Sequence, residues 1–156
     1  MLDAGDPAPD FDLPRPTTDG DDVYRLSAAT REGPAVVAFY PVADTAGAAA
    51  LLRELAAVDW AALGDGLAVL GVGVGDREHH RKLTAEVSVP FPLLLDQDGF
   101  FADMYGVLEP VGEDAVRVRP SVFVVDQRCF VANAWVARDG GDSLPLDEVR
   151  STVASV

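Results

Sequence analysis

The stretch "FYPVADTAGAAALLREL", Phe39 to Leu55, decides how this chain is read. It leaves an apolar strand, passes through a turn carrying Pro41, Asp44, Thr45 and Gly47, and enters an alanine-rich helix. That shape suits a loop built to present a reactive residue at a helix N-terminus. Yet the helix opens with Ala48, Ala49 and Ala50, and none of these side chains can attack anything.

Upstream, "PAVVAFY" (34–40) is an uninterrupted apolar, β-branched run and reads as a buried central strand. Downstream, residues 46–63 place Leu51, Leu52, Leu55, Ala56, Val58 and Leu63 near helical spacing, with Gly64 and Gly66 as the stop. "LAVLGVGVG" (67–75) is a second buried strand, and Asp76 can cap a helix from Arg77 to about Val87. Pro90 and Pro92 precede a short strand "PLLLD", and a short helix over Phe100–Tyr105 ends at Gly106. "PSVFVVD" (120–126) and "FVANAWVA" (130–137) form an antiparallel pair around "DQRC", followed by a loop over Asp139–Ser143 and a closing amphipathic helix over Leu146–Val153. At the other end, an acidic, proline-rich arm of ten residues leads into a hairpin, "FDLP" and "DVYRL" joined across Asp19-Gly20. The order is that of an α/β protein of the thioredoxin type: an N-terminal β-hairpin, then a mixed central sheet flanked by helices, in a single domain over 1–156.

The chain has 156 residues, 49% of them apolar, and a formal charge of −14. That apolar content supports a folded core, whereas disorder is the usual companion of such charge. Lys82 is the only lysine, against eleven arginines. An acidic surface repels phosphate backbones and anionic lipids, so neither nucleic acid nor membrane is an expected partner. With no basic, apolar leader at the start, the expectation is a cytoplasmic protein, and the carboxylate excess suits a salt-adapted organism in which salt screens the repulsion. A single cysteine, Cys129, rules out an intrachain disulfide and any CxxC centre.

The segments "GDPAPDFDLP", "VVAFYPVADTAG", "GVGVGDREHHRKL", "VPFPLLLDQDG", "YGV", "SVFVVD" and "AWVARD", in this order and spacing, resemble the peroxiredoxins (the alkyl hydroperoxide reductase/thiol-specific antioxidant family) and most closely their bacterioferritin-comigratory subgroup. The resemblance implies a peroxidatic motif Pro-x-x-x-Thr-x-x-Cys and a distant arginine just before a strand. In such a motif the helix N-terminus favours thiolate, the threonine holds the peroxide, the proline shields the sulfur, and the arginine stabilises thiolate and transition state. The thiolate becomes sulfenic acid, which a second thiol reduces.

Pro41 and Thr45 match this motif, but the peroxidatic position is Ala48, and the place where a resolving cysteine often lies is Arg53. The family arginine falls three residues before Phe123, at Pro120, leaving Arg119 one residue out of register and Arg117 a weaker substitute. Within a strand such a shift turns a side chain to the opposite face, so Arg119 is expected to reach the pocket only through a distortion at Pro120.

Other features read as structural. Cys129 stands in a turn where glycine is usual, and the plain reading is an unreactive thiol. His79 and His80 diverge by about 100° on a helix and cannot chelate one ion as an i, i+4 pair does. "GVGVGD" (71–76) lacks dinucleotide-binding spacing and reads as close packing of strand and helix. Among 26 carboxylates, Asp44 is singled out only for standing beside Thr45, and the turn itself accounts for it. No metal or cofactor is expected. Three functions follow. The first is a peroxiredoxin-like protein without thiol-peroxidase activity that acts by binding, as a homodimer or paired with an active peroxiredoxin. The second is a thiol-dependent peroxidase whose nucleophilic cysteine was replaced by Ala48. The third is a small-anion binder at the vestigial pocket.

Overall fold

A computed structural model of the chain describes residues 2–138 and 142–156. Of the loop expected over Asp139–Ser143, residues 139–141 lie outside the described residues. The chain opens with a hairpin, β1 (Asp12–Thr17) and β2 (Gly20–Arg25), whose register Thr17↔Gly20 leaves Thr18 and Asp19 as a two-residue turn. A single helical turn, α1 (Leu26–Ala29), leads to β3 (Ala35–Pro41) and then α2 (Thr45–Ala56). Next come β4 (Ala68–Val74), α3 (Arg77–Glu86), β5 (Leu93–Asp96) and α4 (Phe100–Met104). A second hairpin, β6 (Leu108–Val111) and β7 (Ala115–Val118), precedes β8 (Ser121–Val125), β9 (Val131–Val136) and α5 (Leu146–Ser155).

The central sheet has the order β5-β4-β3-β8-β9. Strands β3, β4 and β5 run parallel, while β8 is antiparallel to both β3 and β9. Because strand side chains alternate between faces, the apolar run of β3 feeds two cores at once. Val36, Ala38 and Tyr40 pack with Leu52 and Leu55 of α2, Leu83 of α3, and Val149 and Val153 of α5. Ala35, Val37 and Phe39 face the other way, onto Phe11, Leu13, Leu26 and Tyr105. There Phe39, Tyr105 and Phe123 form a ring cluster with centroids 4.9–6.0 Å apart. An unbroken hydrophobic strand therefore marks a sheet covered on both faces.

Two elements depart from the sequence expectations and a third adds to them. The helix read over 46–63 is broken: α2 stops at Ala56, and a separate 3₁₀ turn spans Trp60–Leu63. The cause is Trp60, whose Nε1–H donates back to the Leu55 carbonyl at 2.8 Å and satisfies an end group that a longer helix would have used. The β6–β7 hairpin had no counterpart in the sequence reading, since Pro110 argues against a strand and five of its eight residues are exposed. Finally, the two histidines of α3, read from sequence only as unable to chelate one ion, differ in burial. His79 lies beside its cap, its N–H donating to Asp76 Oδ1 at 2.7 Å, whereas His80 is 1% exposed.

Candidate functional site at the carboxyl end of the parallel strands

In an open parallel sheet the carboxyl ends of the strands are where loops converge on a ligand. Here β3 ends at Pro41 and β4 at Val74, tied together by the Val42 N–H donating to the Val74 carbonyl at 3.1 Å. Val42 is fully buried, and β4 makes room for it by having no Cβ at Gly73 and Gly75; one added at either would meet a Val42 methyl at 2.6 Å. The chain then turns through Ala43 to Asp44, which caps α2 by accepting from the Gly47 N–H at 3.2 Å. These contacts set where α2 begins.

Ala48 lies in the first turns of that helix, 2% exposed, within the core formed with Tyr40, Val42 and Leu52. Its N–H is already bonded to the Asp44 carbonyl at 2.9 Å. Thr45 and Pro41 are half-buried. The expected pocket residues are therefore neighbours along one loop, and the Ala48 methyl is packed into the interior.

Next to this loop is a cavity of about 820 Å³ whose lining includes Pro41, Ala43, Asp44, Arg117, Arg119, Pro120 and Arg138. Arg119 belongs to neither β7 nor β8. It precedes β8 in an irregular link, so the face-flipping rule for strands does not apply, and it reaches the cavity without a distorted strand. Its N–H donates to the Val107 carbonyl at 2.8 Å, and its Nε–H donates to the Ala137 carbonyl at 2.9 Å. Arg117 also lines the cavity and pairs across the hairpin with Glu109. Thr45 and Ala48 are not among the lining residues. Arg138 and the valines of β6 and β7 were missed from sequence, since the only available signal was that carboxylates outnumber basic side chains 26 to 12.

The family model for AhpC/TSA matches residues 4–134. The chain belongs to the AhpC/TSA family. Peroxidoxin BcpB from Mycobacterium tuberculosis is 25% identical, with a TM-score of 0.77 over 100% of this chain and 99% of that one. Peroxiredoxin Q from Xanthomonas campestris, 22% identical, superposes with a TM-score of 0.74 over 98% of each chain. AhpC from Mycobacterium tuberculosis, 20% identical, gives 0.71 over 99% of this chain and 93% of that one. The latter two comparisons speak to the fold alone. No curated protein matches the chain. The fold is thus the thioredoxin-like arrangement of this family, as its residue order implied.

The one thiol of this AhpC/TSA-family chain stands elsewhere. Cys129 follows β8 in the turn Asp126–Phe130, and β8 pairs Val125 with Ala35, the first residue of β3. Pro41 is six residues further along β3, roughly 20 Å at strand rise. Cys129 therefore lies at the opposite end of the sheet from Ala48. It is half-buried, adopts φ 61°, and its Sγ lies 3.1 Å from the hydroxyl of buried Thr30.

Two buried titratable groups lie beneath the loop. Tyr40 is fully enclosed, and burial pushes its phenol far up, so it stays protonated. His80 is held below the ordinary histidine value by burial, partly offset by the Leu93 carbonyl, with a smaller lowering by the nearby Arg77. Neither the Tyr40 hydroxyl nor either His80 nitrogen has a hydrogen-bond partner among the described residues. Both pack at Gly73, where an added Cβ would lie 3.0 Å from His80 Nδ1 and 3.2 Å from Tyr40 Cε2. Among the described residues, no three His, Cys, Asp or Glu side chains group as a metal site would require.

Proposed function

We propose that this member of the AhpC/TSA family has lost thiol-peroxidase activity and acts as a non-catalytic binding homologue. The observation that carries the reading is the buried methyl of Ala48 at the peroxidatic position, with the chain's single thiol at the far end of the sheet. A methyl group can be neither ionised nor oxidised, and without an activated nucleophile only binding and electrostatics remain. The unmodified chain should consume hydrogen peroxide at the buffer rate in the presence of a thiol donor, and Cys129→Ser should not change that rate. Rapid turnover that survives Cys129→Ser would overturn the reading.

A second reading is favoured by the intact Pro41–Thr45 spacing and by Arg119 reaching the same cavity as Pro41. On that reading the protein is a thiol peroxidase whose cysteine was replaced, and Ala48→Cys should raise peroxide turnover by orders of magnitude. On the first reading Ala48→Cys stays near background, because Pro120 occupies the arginine's family position. The binding partner in the first reading is a second copy of the chain or an active relative, docking near the Pro41–Ala48 loop. The acidic surface suits the salt-rich cytoplasm proposed for such a protein.

A further inference from the structure

Basic side chains are outnumbered in this chain: eleven arginines and one lysine against 26 carboxylates, for a net charge of −14. Three of them, Arg117, Arg119 and Arg138, line one cavity. The remaining lining is largely aliphatic and includes Val74, Val111, Val116 and Val118. Val111 and Val116 are 43% and 64% exposed and, among the described residues, belong to neither core cluster. Arginines and valines lining one cavity of about 820 Å³ have the size and two-part chemistry of a small-molecule site. We propose that this cavity binds a monocarboxylate with an apolar tail, the head group on Arg119 and Arg138 and the chain against Val111, Val116 and Val118.

The assignment rests on the non-catalytic reading, in that the pocket serves binding rather than turnover. Several features narrow the ligand. Arg119 is tethered by Nε to the Ala137 carbonyl, which fixes the side chain while leaving its two Nη groups to meet an oxyanion. Arg117 is already engaged by Glu109, whereas among the described residues neither the Arg119 nor the Arg138 side chain pairs with a carboxylate, so the head group is assigned to those two. Asp44 is also part of the lining, accepting from the Gly47 N–H, and its carboxylate penalises a second negative charge; a dianion such as a phosphate monoester is disfavoured accordingly. Asp44 also places a carboxylate at the start of α2, so the anion belongs on the arginines and not at the helix end. The lining has no aromatic ring on which a base could stack, which argues against a nucleotide.

Isothermal titration calorimetry of the full chain with octanoate tests the assignment, with octanol (no charge), acetate (no tail) and octyl phosphate (extra charge) as comparators. Octanoate should bind saturably, with each comparator weaker by about tenfold or more, the scale of a charge-assisted contact or a few buried methylenes. Arg119→Gln should weaken octanoate about tenfold and leave octanol unchanged. Since Arg119 also holds a backbone carbonyl, Arg138→Gln, at an exposed side chain, supplies the same test without that risk and should act in the same direction. Val116→Asp should weaken octanoate more than acetate. Octanol binding as well as octanoate, or octanoate affinity unaltered in both arginine variants, would overturn the assignment, as would the absence of saturable octanoate binding. A parallel peroxide assay keeps the two readings apart. Turnover by the unmodified chain sinks the non-catalytic reading whatever octanoate does, whereas no turnover and no octanoate binding sinks only the ligand.

Discussion

The two ends of the central sheet differ in what they hold. At the carboxyl end of β3 and β4, Pro41, Thr45 and Ala48 occupy a loop and helix start beside a cavity whose lining includes three arginines. At the other end, Cys129 supplies the chain's one thiol, in a left-handed turn against Thr30. The loop and the thiol are separated by the length of the strand. The packing that makes the loop depends on Val42, Leu52 and the glycines at and just after the end of β4, and not on any sulfur, so the fold and the chemistry of the site are separate properties.

The largest expected contrast between the ends is in stability. Leu52 is fully buried and lies over Gly71 of β4, seating the helix that starts at Thr45. Leu52→Ala should cost about 2–5 kcal/mol in urea unfolding. Phe130→Ala, at the Cys129 end and 38% exposed, should cost clearly less. Equal losses would mean that both ends are held alike.

A smaller and sharper test gives glycine opposite signs at the two ends. Ala48→Gly removes a buried methyl within a helix and should destabilise by about 1–2 kcal/mol. Cys129→Gly relieves a side chain held at φ 61° and should be neutral or stabilising by up to about 1 kcal/mol, less whatever the Thr30 contact contributes. Thermal melts of the two variants decide it, and destabilisation by Cys129→Gly as large as that by Ala48→Gly would break the contrast.

Acid should weaken the site end through His80. Folding depresses its pKa, so above the ordinary value of 6.5 both folded and unfolded chains carry it neutral and stability is full. As pH falls through 6.5 the unfolded chain takes up the proton first, and stability declines until the lower folded value is reached. Asp96 runs the other way. Burial raises its pKa, so the folded chain is protonated first and stability rises as pH falls through that elevated value toward 3.8. The difference between the unmodified chain and His80→Leu, from urea midpoints at pH 7.5 and 5.5, therefore isolates the histidine. A difference that does not change with pH would show that its burial carries no proton linkage.

Much of the fold was legible in the residues because its signals are local. The run at 34–40 became β3 over Ala35–Pro41, "LAVLGVGVG" became β4 over Ala68–Val74, and Asp76 capped α3 as its position implied. Misreadings arose where a distant partner overrides the local pattern. Trp60 folds back on Leu55 and ends a helix whose spacing continued, and β6–β7 forms although Pro110 weakens its strand signal. Arg119 was read with strand rules and lies outside the strand. His80, read from sequence only as unable to share an ion with His79, is enclosed beside Val42 and Gly73.

Sequence alone determined that position 48 carries a methyl, that only one thiol exists, and that β3 is covered on both faces, because these follow from residue identity and short-range spacing. Tertiary structure alone decided that Cys129 and Ala48 sit at opposite ends of one sheet and that arginines from two separate segments, 117–119 and 138, line one cavity with Pro41. The physical reason is that strand pairing joins segments some eighty residues apart, such as β3 and β8, and no local periodicity records which end of one strand meets which end of the other.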